Sequence, residues 1–120
     1  MLQDMVIPTG SSDKGSPIIL IGESSTSGTS VTISNNTRST LYVYLKTAST
    51  NATYRTDNSR IASVTGCNTP VELQYYENTS SSSQVAIRLY RLDNCGSSVT
   101  VTKNSTTSNT QKDVVIFAIE

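Results

Sequence analysis

The sequence predicts an all-β chain, an antiparallel β-sandwich of jelly-roll or Ig-like type with about eight or nine short strands. Three observations carry this. Short runs rich in β-branched and aromatic residues recur along the whole length, each bounded by Gly, Ser, Asn or Asp. Helical periodicity is hard to find. Two of the runs alternate in the manner of a strand with one buried and one solvated face. A chain of 120 residues accommodates one such domain, residues 1–120, with residues 1–16 as an extended N-terminal arm.

The runs, in order, are Met5–Ile7, Pro17–Ile21, Ser30–Ser34, Thr40–Thr47, Ile61–Thr65, Val71–Tyr76, Val85–Leu92, Val99–Thr102 and Val114–Ile119. A weaker piece, Tyr54–Thr56, falls in a long loop. In Thr40–Thr47, Leu41, Val43 and Leu45 face one side and Tyr42, Tyr44 and Lys46 the other. In Val71–Tyr76, Val71, Leu73 and Tyr75 oppose Glu72, Gln74 and Tyr76. Two runs do not alternate. Ile18-Ile19-Leu20-Ile21 and Val114–Ile119 are apolar on both faces, whereas each sheet of a sandwich buries only one. Either a loop or the N-terminal segment covers the second face, or it is a subunit interface formed by Ile18, Ile19, Leu20, Ile21, Val115, Phe117 and Ile119.

Cys67 and Cys95 are the only cysteines, each beside a glycine at a turn signal. Between them, Val71–Tyr76 and Val85–Leu92 flank a polar loop and read as a hairpin. The antiparallel register that opposes Cys67 to Cys95 also opposes Leu73 to Leu89 and Tyr75 to Ile87. On the other face it opposes Gln74 to Arg88 and Glu72 to Tyr90, with Glu72 diagonal to Arg88. A one-residue slip destroys all of these matches at once. The register predicts a Cys67–Cys95 disulfide at the base of the hairpin; two buried free thiols are the alternative. A disulfide implies an oxidising destination, reached by secretion with a trimmed signal or by release of a virion component on lysis.

Composition excludes several kinds of function. Lys plus Arg and Asp plus Glu each number 9, so no net charge draws the chain to nucleic acid or acidic lipid. Arg88 and Arg91 lie on opposite faces of their strand and make no basic stripe. No apolar run approaches the ~20 residues of a membrane helix. Histidine is absent, which removes the usual general base, the Ser-His and Cys-His pairs and the commonest transition-metal ligand. The nine acids are scattered singly, so paired-carboxylate catalysis has no visible site. The expectation is a non-enzyme without cofactor or metal. Four Asn-x-Ser/Thr sequons, at Asn35, Asn51, Asn78 and Asn104, are what chance produces in a chain this rich in Ser and Thr.

The outward face of the two alternating strands and their partner defines the candidate ligand or partner surface: Tyr42, Tyr44, Lys46, Glu72, Gln74, Tyr76, Arg88 and Tyr90. Tyrosines among polar side chains suit a protein interface, and sugars also stack on such rings. Cross-strand aromatic pairs that merely stabilise an exposed sheet are the plainer reading.

Ser, Thr and Asn together make 47 of the 120 residues, and only 15% are charged. With the start at Met1 and the doubly apolar strands near the ends, this composition resembles small phage-virion accessory proteins: capsid decoration or cement proteins and tail or fibre domains. The resemblance is one of composition and carries over no individual residue. It implies a structural protein on the virion exterior that binds itself and a capsid or other virion protein. The competing expectation is a secreted carbohydrate-binding or adhesin module.

Overall fold

The computed structural model describes residues 17–24, 28–80, 84–104 and 113–120. The expected arm 1–16 and the run Met5–Ile7 lie outside the described residues. Among the described residues eight strands follow in chain order: β1 (Ile18–Glu23), β2 (Ser30–Ile33), β3 (Leu41–Ala48), β4 (Ile61–Thr65), β5 (Val71–Asn78), β6 (Val85–Leu92), β7 (Val99–Lys103) and β8 (Val114–Ile119). One short helix, α1 (Ala52–Asn58), lies between β3 and β4. The strands form a five-stranded sheet in the order β1-β8-β3-β6-β5 and a three-stranded sheet in the order β2-β7-β4. Every strand pair is antiparallel.

The two sheets share one core. Leu41, Val43, Leu45, Tyr90, Leu92, Val114, Ile116 and Ala118 from the large sheet meet Val31, Ile33, Val99 and Val101 from the small one. Their spacing by two along each strand is the period that puts alternate side chains on one face. β2 packs against β1 and β8.

The other face of the large sheet departs from the solvated surface that the alternation of β3 suggests. Tyr44, Val85, Ile87, Leu89, Val115 and Phe117 form a second buried cluster there, with Ile18 and Tyr42 packed against it. The reason lies in strand order. β3 runs between β6 and β8, so Tyr44 is opposed by Leu89 on one side and Val115 on the other. Both neighbouring strands present apolar side chains on this face, Val85, Ile87 and Leu89 from β6 and Val115 and Phe117 from β8, and Tyr44 and Phe117 retain no exposed surface. Tyr42 stacks on Phe117 with ring centroids 5.5 Å apart.

Where the sequence reads a long loop around Tyr54–Thr56, the structure has α1. Its N-cap is Asn51, whose side chain accepts a hydrogen bond from the Tyr54 N–H at 2.9 Å. Seven residues rich in Thr do not make a stable helix alone. The segment is held by Arg55, whose buried guanidinium donates to Glu77 Oε2, to the Ser49 carbonyl at 2.8 Å and to Gln84 Oε1 at 3.1 Å.

The β5–β6 hairpin follows the expected register only at its base. Val71 opposes Arg91 and Glu72 opposes Tyr90, as expected, and then a bulge at Leu73 shifts the rest by one. Gln74 therefore opposes Leu89, Tyr75 opposes Arg88 and Tyr76 opposes Ile87. An extra residue in one strand is what a bulge inserts, and edge strands such as β5 are where bulges concentrate.

The Cys67–Cys95 disulfide is present. It does more than close the hairpin, because each cysteine lies where the chain crosses from one sheet to the other. Gly66-Cys67 leads from β4 to β5 and Cys95-Gly96 leads from β6 to β7. The two crossings touch, the Gly96 N–H donating to the Gly66 carbonyl at 2.8 Å. Gly66 has φ of +89°, and a Cβ there would overlap the Ser98 carbonyl oxygen, so only glycine fits.

Candidate functional site

The residues expected to form one outward surface occupy two faces. Tyr42, Tyr44 and Lys46 lie with Leu89 and Arg91 on the face of the large sheet turned away from the small one. Gln74 and Tyr76, opposite Leu89 and Ile87, lie on that same face. Glu72, Arg88 and Tyr90 lie on the opposite face, turned toward the small sheet. Of the eight, Tyr44, Arg88 and Tyr90 are buried and Tyr76 is 47% exposed. Among the expected oligomer residues, Val115 and Phe117 are buried, Ile18, Ile19 and Ile21 are half-buried, and Leu20 and Ile119 are exposed.

Glu72, Arg88 and Tyr90 do come together, with α1 as their neighbour. The side chain of Arg88 donates to Glu72 Oε1 at 3.0 Å, to Ser59 Oγ at 3.1 Å and to the Thr56 carbonyl at 3.1 Å. Its guanidinium carbon sits 4.2 Å from the centre of the Tyr75 ring. A cation against the last turn of a helix is also favoured by the helix dipole. With Arg55 holding Glu77, both carboxylates of β5 are occupied by buried guanidinium groups. These interactions fix α1 to the hairpin, and every guanidinium nitrogen of Arg55 and Arg88 donates at least one hydrogen bond.

Beside this network lies a cleft of about 440 Å³, lined by Arg60, Ile61, Ala62, Ser63 and Val64, by Pro70 and Glu72, and by Tyr90. It opens between β4, at one edge of the small sheet, and β5, at one edge of the large one. Tyr90 is 7% exposed. Burial raises its phenol above the ordinary value of 10.0, opposed by a hydrogen bond from the Ile61 backbone. The folded state therefore holds this proton where the unfolded chain would release it. The stability that goes with it is present below pH 10 and lost as pH rises through the folded value. In an absorbance titration of the phenolates Tyr90 should ionise after the exposed tyrosines, and the difference between wild type and Tyr90→Phe should isolate that step.

The exposed large apolar side chains concentrate on β5. Val71, Leu73, Tyr75 and Tyr76 are 37–47% exposed, and Tyr54 of α1 adds a further ring. Thr56 and Tyr75 hydroxyls lie 3.3 Å apart, which places the α1 side of this patch. Sequence reasoning missed Arg60, Ser63 and Pro70, because the cleft depends on which strands end up as edges. Among the described residues no cluster of three or more His, Cys, Asp or Glu side chains is placed to hold a metal ion, and no helix is long and apolar enough to cross a membrane. Comparison with protein families, with curated proteins and with solved structures found no match.

Proposed function

We propose that the chain is a non-catalytic structural protein that works by assembly, binding further copies of itself and a larger partner such as a virus capsid. The observation that carries this reading is the β5 edge. It is eight residues long, it pairs with β6 alone among the described strands, and it exposes Val71, Leu73, Tyr75 and Tyr76. A long apolar edge left open invites pairing with another chain, and proteins that stay apart blunt such edges with charge. Here the two acids of the strand are already neutralised by Arg88 and Arg55. A neutral, hydroxyl-rich exterior suits the outside of a virion. No step of this function needs an acid–base group, and the chain has no histidine to supply one.

Sedimentation analysis tests the reading. Wild type should form a dimer or larger oligomer as concentration rises, and Leu73→Lys with Tyr76→Lys should weaken association by about tenfold or more, since ~1.4 kcal/mol suffices for that. Both positions are exposed, so the variant should melt with the wild type. A wild type that stays monomeric and does not pellet with purified phage capsids contradicts the proposal. A second reading, a secreted carbohydrate-binding or adhesin module, draws on the exposed rings of Tyr54, Tyr75 and Tyr76. Glycan-array binding that disappears in Tyr76→Ala would favour it.

A further inference from the structure

The small sheet has three strands and the large one five, and β4 ends the small sheet with one edge unpaired among the described residues. The cleft lies along that edge. Its polar groups are unevenly engaged. Glu72 is held by Arg88. The Tyr90 hydroxyl lies near the Ile61 backbone and donates no hydrogen bond to another described residue. The exposed Arg60 guanidinium has no ion pair or hydrogen bond with another described residue. Arg60 and Tyr90 thus bring two donors to the lining of a cleft whose one carboxylate is already taken. One of them belongs to a side chain more than nine-tenths buried.

We propose that this cleft receives an extended segment of a partner protein, which adds beside β4 as a fourth strand of the small sheet and sets an aspartate or glutamate carboxylate between the Arg60 guanidinium and the Tyr90 hydroxyl. Main-chain pairing with an open edge provides affinity, and side-chain contacts provide specificity. β4 carries a bulge at Ala62, between the pairs Ile61–Lys103 and Ser63–Thr102. The regular ladder it offers is therefore short, and the Arg60 contact sets the register of the incoming strand. A segment is favoured over a free small acid because the wall of the cleft is a strand edge, whose main-chain donors and acceptors only another backbone can match in series. This site goes beyond the assembly reading: that one rests on β5 and fails with self-association, this one on β4 and Arg60.

Panning a random linear-peptide display library tests it. Against wild type, the recovered peptides should share an acidic residue at one position within a β-forming stretch. Arg60→Ala should bind them about tenfold or more weakly, as loss of a charge-assisted hydrogen bond implies, and so should peptides with the acid changed to its amide. Tyr90→Phe, which keeps the ring, should weaken them too. Arg60→Glu should select Lys or Arg at the same position. The Arg60 side chain is exposed, and thermal melts of its variants should match wild type. Recovery of no binders, of binders without the acidic position, or of binders indifferent to Arg60 overturns the proposal. Acetate that displaces the peptides and binds wild type equally tightly reassigns the cleft to free carboxylic acids and overturns the segment.

Discussion

Replacing Lys103 with Met is expected to cost about 3–5 kcal/mol of folding stability, the largest effect of any single substitution considered. Lys103 Nζ lies 2.8 Å from Asp113 Oδ2, and neither side chain has any exposed surface. The pair joins the end of β7 in the small sheet to the start of β8 in the large one. Burial pushes the Lys103 ammonium below its ordinary value of 10.5, against the pull of Asp113. Desolvation thus outweighs the attraction, and the pair is costly to break without being a strong net stabiliser. Methionine keeps the length of the side chain but removes the charge that neutralises a buried carboxylate. Adding Asp113→Leu to Lys103→Met should restore most of the loss, because two apolar groups in the same space carry no desolvation cost. Urea unfolding of the three proteins measures this. A single variant that loses less than about 1 kcal/mol, the range of exposed pairs, would contradict the buried geometry.

The second large effect is expected from the disulfide. Cys67 and Cys95 are 28 residues apart in sequence, and closing a loop of that length constrains the unfolded chain by about 3.5 kcal/mol in the chain-entropy model. Cys67→Ser with Cys95→Ser should therefore lower stability by about that amount. The bridge also ties the β4–β5 and β6–β7 crossings together at one point, where the Cys95 N–H donates to the Ser39 carbonyl and the Asn68 N–H to the Asp93 carbonyl, each at 2.9 Å. Denaturant midpoints of the oxidised, reduced and double-serine proteins should fall into two groups, oxidised apart from the other two. Full alkylation of both cysteines without reductant would refute the bridge.

The strands were legible because their signals are local. The bounds of β4, β6 and β8 coincide with the runs Ile61–Thr65, Val85–Leu92 and Val114–Ile119. The cysteine-based register holds at Glu72–Tyr90 and fails past Leu73, since nothing in Val71–Tyr76 marks which residue bulges. α1 escaped notice for a different reason: its one local signal is the Asn51 cap, and its main support is Arg55 reaching Glu77 and Gln84. The tyrosine surface failed on strand order. Alternation tells which side of β3 Tyr44 occupies but not that β6 and β8 flank it there with Leu89 and Val115. The buried pair was half legible. In Val99-Thr100-Val101-Thr102-Lys103 the period of two sets Lys103 on the core face behind Val99 and Val101, and a core cation calls for an acid.

Hydrogen exchange measured at low and high protein concentration reads out the proposed assembly through the open β5 edge. Amides of Val71–Asn78 should gain protection as concentration rises, while those of β7, paired on both sides with β2 and β4, should not change. Unchanged exchange along β5 at every concentration, with and without capsid particles, would contradict it.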